Sequence, residues 1–193
     1  MNKLPRSFYE RSAVVTVARE LLGKKLTTRS GGAVTSGIIT ETEAYAGAGD
    51  RASHAYGGKR TPRNEAMYGT AGFTYVYLCY GIHHLFNVVT NKVGVPHAVL
   101  VRAIFPVAGL DAMRDRRHQV KLTTGGPGTL TQALGVRREH NAIDLLGDVI
   151  TIEETGLAIP RRSIIAGPRI GVDYAKEDAL LPYRFHFDPS LLT

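Results

Sequence analysis

The chain has 193 residues, enough to enclose a core, and 44% of them are hydrophobic, which excludes disorder over most of its length. Cys79 is the single cysteine, so an internal disulfide is excluded, a reducing compartment is favoured, and Cys79 reads as a small core residue. Lys and Arg outnumber Asp and Glu by 24 to 17, and the resulting +7 suits a polyanionic partner without requiring one.

No apolar segment follows the early charges Lys3 and Arg6, and no run approaches the ~20 apolar residues of a membrane span. An intracellular protein without a membrane partner is expected, in the cytoplasm or nucleoid of a bacterium or otherwise in a nucleus. The first periodic segment, residues 12–22, places Val14, Val15, Ala18, Leu21 and Leu22 at helical spacing, with Ser12 as cap and Gly23 as terminator. Strands are expected at 25–28 and 34–45 around a turn at Gly31-Gly32. Residues 46–65 form a long, polar, Gly-rich loop, a type usually reserved for function, in which Thr61-Pro62 can open a short helix.

Residues 73–80 and 85–90 read as a hairpin with Tyr80-Gly81 near its tip. A nearly continuous apolar strand at 97–105 runs up to Pro106, and a helix through Leu110, Met113 and Arg117 follows. Thr123-Thr124-Gly125-Gly126-Pro127-Gly128 is a breaker, with a short helix at 130–134 beyond it. Short strands follow at 149–152 and 183–187, with Arg161 and Arg162 on an exposed turn after Pro160. This strand density predicts a mixed domain around a largely antiparallel sheet.

Three clusters carry candidate chemistry. In Glu41-Thr42-Glu43-Ala44-Tyr45, residues two apart share a strand face, which sets the two carboxylates roughly 6–7 Å apart, near an inverting acid/base pair. On those two residues alone, a solvated strand face is the stronger reading. Tyr75 and Tyr77 share a face and Tyr80 does not. Such rings can stack on bases, at about 1–3 kcal/mol each, or simply reflect the strand propensity of tyrosine. His54, His83, His84 and His97 lack the spacing of a metal site, and neither a P-loop nor a nucleophile elbow occurs, so no metal or other cofactor is expected.

Taken in order, Glu41-Thr42-Glu43-Ala44-Tyr45, Lys59-Arg60-Thr61-Pro62-Arg63-Asn64, Tyr75-Val76-Tyr77 and Tyr80-Gly81 resemble the alkyladenine (3-methyladenine) DNA glycosylase family. Asn87-Val88, Leu100-Val101-Arg102-Ala103, Gly126-Pro127-Gly128 and Gln132-Ala133-Leu134 continue the match, which spans about residues 8–187. The resemblance implies an α+β fold: one compact domain over residues 1–193, with a curved, mainly antiparallel sheet, flanking helices and a protruding β-hairpin that intercalates into DNA. It implies a monomer that acts on double-stranded DNA containing damaged purines, flipping the base and hydrolysing its N-glycosidic bond. Glu43 would activate the water and Arg102 would hold that site. Tyr45, His54 and Tyr77 would enclose the flipped base, Asn87 would reject an undamaged guanine, and Tyr80 would fill the gap in the helix. Lys59, Arg60, Arg63, Arg161 and Arg162 are candidates for the DNA backbone.

Three positions depart from the family pattern: Thr129 where Lys is common, the segment His83-His84-Leu85-Phe86, and Phe105 where Glu is common. Other readings stay open at this point. A damage-binding module would need no catalytic carboxylate, a sugar hydrolase would use Glu41 and Glu43 as a pair, and a bifunctional glycosylase would need a Schiff-base lysine.

Overall fold

A computed structural model, which describes residues 2–192, shows how the strand-forming segments associate. Two short helices, α1 (Arg6–Tyr9) and α2 (Val14–Glu20), precede β1 (Lys25–Ser30) and β2 (Ala33–Tyr45). Then come β3 (Thr74–Cys79), β4 (His83–Thr90), β5 (His97–Ala108), α3 (Leu110–Arg117) and α4 (Pro127–Leu134). The chain closes with β6 (Ile150–Glu153), β7 (Ile165–Gly167) and β8 (Arg184–His186). Every pairing is antiparallel, in the order β3-β4-β5-β2-β1-β6, with β8 on β2 and β7 on β8. One antiparallel sheet with a few flanking helices is the expected α+β architecture. Met1 and Thr193 of the expected 1–193 domain lie outside the described residues.

The long strand β2 organises the sheet. Its first half pairs with β1, and Glu41–Glu43 pair on the same side with β8. The other side pairs along its length with β5, and that register slips between Ile39 and Glu41 and again between Glu41 and Thr42. Thr40 is the extra residue on β2 and Arg102 the extra residue on β5, so the two bulges cancel. Bulges bend and twist a strand, and here they curl the sheet where both carboxylates lie.

The main core packs α2 and α4 against the sheet through Val17, Leu21, Ile39, Val101, Leu130 and Leu134, all fully buried. Each such side chain contributes about 1.5–3 kcal/mol. A smaller core of Met67, Tyr68, Tyr75, Val89 and Ala98 anchors the end of the long loop to β3 and β5. Among the described residues no helix is long and apolar enough to cross a membrane.

Several boundaries differ from expectation. The helix at 12–22 begins only at Val14, with Ala13 at its cap position, and Ser12 offers its carbonyl rather than its side chain. Thr61-Pro62 opens no helix: Asn64 captures the Thr61 N–H and hydroxyl with Oδ1, and a 3-10 turn starts later, at Glu65. β5 continues through Pro106 to Ala108, because a register slip beside Pro106 removes the need for its missing N–H. α4 starts three residues early, with Pro127 in its first turn. There Thr129 Oγ1 accepts from the Gly126 N–H at 3.0 Å and donates to the Gly126 carbonyl at 2.7 Å.

Candidate active site

The bulges bring three charged side chains together. Arg102 Nε donates to Glu41 Oε1 at 3.0 Å, and its Nη1 lies 3.4 Å from Glu43 Oε1. Glu41 also accepts from Arg184 Nη1 at 3.2 Å, so it sits between two guanidinium groups. Glu43 is fully buried. Its Oε2 accepts from the Tyr45 hydroxyl and its Oε1 from the Ile170 N–H, each at 2.8 Å. Burial pushes the Glu43 carboxyl above the usual carboxylate range, against the pull of Arg102 and of both hydrogen bonds. Tyr45 is pushed up by its own burial and by the Glu43 charge, so its hydroxyl keeps its proton as a donor.

Tyr45, Arg102 and Ile170, the three partners of Glu43, line a cleft of about 640 Å³. Its wall is the face of the β3–β4 hairpin that carries Tyr75, Tyr77, Leu85 and Asn87. The His54 and Tyr77 rings meet edge to face at 4.7 Å, and Tyr75 and Tyr77 lie tilted at 5.2 Å. His54 Nδ1 shares a 2.8 Å hydrogen bond with the Tyr75 hydroxyl. Burial, with Arg63 and Lys59 nearby, lowers the His54 pKa, so the imidazole is neutral at physiological pH. Asn87 Nδ2 donates to the Tyr75 carbonyl at 3.0 Å, which fixes its carboxamide in the wall.

The hairpin ends in an exposed apolar tip. Tyr80 and Gly81 both take positive φ, 50° and 73°, and the Ile82 N–H closes the turn on the Cys79 carbonyl. Two successive left-handed residues make the tight turn whose twist suits a hairpin, which explains the glycine. Tyr80 is 90% exposed and lines the cleft mouth, and its neighbour Ile82 is 71% exposed on the same tip.

The structure also assembles residues that the sequence did not single out. Arg169 and Asp50 form a buried ion pair, with Nη2 to Oδ1 at 2.8 Å. Arg169 Nη1 also donates to the Ala44 carbonyl, and its guanidinium lies 4.9 Å from the Tyr45 ring centroid. Because Ile170 follows Arg169, this pair fixes both the N–H and the tyrosine that hold Glu43. Tyr174 joins the cleft wall from the same segment. No local pattern marks Arg169: Asp50 and Ala44, the partners that tie it to the site, lie 119 and 125 positions away.

The basic candidates separate by surroundings. Arg63 lies in the cleft wall, over Tyr77, and donates to the Leu78 carbonyl. Arg60 is engaged by Glu65 through two hydrogen bonds and covers Tyr68. Lys59 is exposed on the loop, and Arg161 and Arg162 are exposed on a 3-10 turn that does not line the cleft.

Comparison with known proteins places this cleft in context. The model of the family described as Methylpurine-DNA glycosylase (MPG) matches residues 7–190. A protein of Bacillus thuringiensis (strain Al Hakam) named "Putative 3-methyladenine DNA glycosylase" is 45% identical over 195 residues, covering 95% of each chain. Proteins with the same name from Clostridium acetobutylicum and Bacillus mycoides (strain KBAB4) are also 45% identical, covering 95% of this chain and 93% and 95% of their own.

Proposed function

The chain belongs to the Methylpurine-DNA glycosylase family, and from that premise we propose that it excises alkylated or deaminated purines from duplex DNA as a monofunctional, monomeric hydrolase. The observation that carries this reading is a buried carboxylate, Glu43, held behind the wall of an aromatic cleft whose mouth adjoins an exposed apolar hairpin tip.

The steps follow from the residues. Tyr80 enters the minor groove and occupies the space of the extruded nucleotide, which offsets part of the few kcal/mol that flipping costs. The purine enters between Tyr45, His54 and Tyr77, and Asn87 crowds the exocyclic amine of an undamaged guanine. A purine alkylated on N3 or N7 carries positive charge, and each well-placed ring favours that cation by about 0.5–2 kcal/mol. A neutral His54 adds no opposing charge.

For a purine alkylated on N3 or N7, the bond between C1′ and the purine nitrogen breaks with its electron pair going to the cationic base, which leaves as a neutral molecule, whereas a neutral deaminated purine must also take up a proton from solvent as it leaves. The sugar gains oxocarbenium character, which the Glu43 carboxylate stabilises. A water held by Glu43 adds to C1′ and gives its proton to that carboxylate, leaving an abasic site. A carboxyl with a raised pKa suits this task, because a base nearer the working pH accepts a proton more effectively. Arg102 and the Ile170 N–H favour the charged form of Glu43 against its burial.

Two other readings lose ground. A carboxylate between two guanidinium groups is badly placed to donate a proton, which weighs against Glu41 as the acid of a sugar hydrolase. Among the described residues no lysine lines the cleft, which favours water over a Schiff base. The test is release of free base from methylated DNA and from a duplex with a single hypoxanthine. Wild type should release base and Glu43→Gln should not, with no adduct trapped by borohydride. Equal release by both proteins would refute the role of Glu43.

A further inference from the structure

Strand alternation gives the hairpin two faces. Leu85 and Asn87 of β4 face the aromatic cleft, whereas His84 borders a second groove of about 580 Å³. The two spaces share only His83 and Gly128, and a side chain at Gly128 would collide with the His83 ring, at 2.7 Å. The groove's other side comes from the end of α3 and from α4, and it carries Arg116, His118, Gln132 and Arg137. Among the described residues no carboxylate lines it.

Among the described residues, Arg116 and Arg137 form no ion pair. Arg116 donates to the carbonyls of Ser30 at 2.7 Å and Ala133 at 3.1 Å, which engages part of its five N–H donors and leaves its charge without a counter-charge. Burial and the neighbouring Arg137 charge hold its pKa below the usual arginine range. Arg137 is exposed and, among the described residues, forms no ion pair. Two guanidinium groups held together without a carboxylate favour an anion, and guanidinium geometry suits the paired oxygens of a phosphodiester.

Position selects the strand. A hairpin in the minor groove has one sugar-phosphate backbone on each side. The flipped base enters the cleft, so the damaged strand runs on the cleft side. We propose that the second groove holds phosphates of the undamaged strand, an inference that rests on the glycosylase reading and on insertion of Tyr80. The enzyme would then grip both backbones around its wedge, with Arg137 and Arg116 as anchors on the intact strand.

The test compares binding of the whole protein to duplexes with a tetrahydrofuran abasic analogue and neutral methylphosphonate linkages in one strand or the other. Wild type should lose affinity about five- to tenfold when linkages near the lesion in the undamaged strand are neutralised. Arg137→Gln should bind the unmodified duplex that much more weakly, lose nothing more on neutralisation, and show a salt slope lower by about one. The same variant should bind the lesion-bearing single strand as wild type does. Sensitivity confined to the damaged strand, or equal loss by Arg137→Gln on single-stranded DNA, would overturn the proposal. Base release from methylated DNA judges the glycosylase reading separately, because the binding comparison needs no catalysis.

Discussion

The Arg169–Asp50 pair offers a sharp test of how the site is held. Both side chains are essentially excluded from solvent, with exposures of 0% and 2%. In Arg169→Met, Asp50 loses its guanidinium but keeps the N–H donors of Ala46 and Ala52. The expected loss is therefore at the low end of the 3–5 kcal/mol typical of a broken buried pair, about 3 kcal/mol. For a domain of this size that lowers Tm by about 6–12 °C. Asp50→Asn leaves the guanidinium on the carbonyls of Ala44 and Asp178 and beside two tyrosine rings, so it should cost less. The double variant should recover about 2–3 kcal/mol relative to the sum of the single losses, since two charge-assisted bonds link the pair directly. Urea unfolding of the four proteins measures this cycle. Single-turnover base release measures its consequence. Arg169→Met removes a positive charge near Glu43 and loosens the Ile170 N–H, so the acid limb of the rate should move to higher pH. Additive losses, a loss under about 1 kcal/mol, or an unmoved acid limb would refute the reasoning.

Base release should fall as pH drops through the raised pKa of Glu43, and Tyr45→Phe should shift that limb upward, because it deletes a hydrogen bond to the charged form; a pH–rate profile of each protein decides. Glu43→Gln should lose about 10²- to 10⁴-fold in single-turnover rate. It should also gain stability relative to wild type as pH rises. A carboxyl whose folded pKa is raised contributes stability below its unfolded pKa and loses it through the folded one, whereas glutamine has nothing to lose. Urea unfolding below and above that window checks the sign. Glu41→Gln should reduce the rate far less than Glu43→Gln, measured in the same assay. Tyr80→Ala should weaken binding to abasic duplex by about 1–3 kcal/mol while leaving Tm unchanged, because the side chain is 90% exposed and supports no core contact; calorimetry and fluorescence anisotropy separate the two.

What the sequence by itself determined was local. A period of two placed Glu41 and Glu43 on one face and Tyr75 and Tyr77 on another. Tyr80-Gly81 marked a turn because tight hairpins need positive φ, and the ordered motifs pointed to the family. Helix starts were less legible, since a carbonyl or an asparagine from the next turn displaced the expected caps at Ser12 and Thr61. Only the tertiary structure decided the electrostatics. Two compensating bulges set Arg102 between the carboxylates, and a chain segment more than 120 residues beyond Glu43 supplies its Ile170 N–H. The same holds for Arg169 with Asp50 and for Arg116 with Arg137. Burial and charge proximity depend on which distant segments pack together, and side-chain periodicity along one strand carries no record of that.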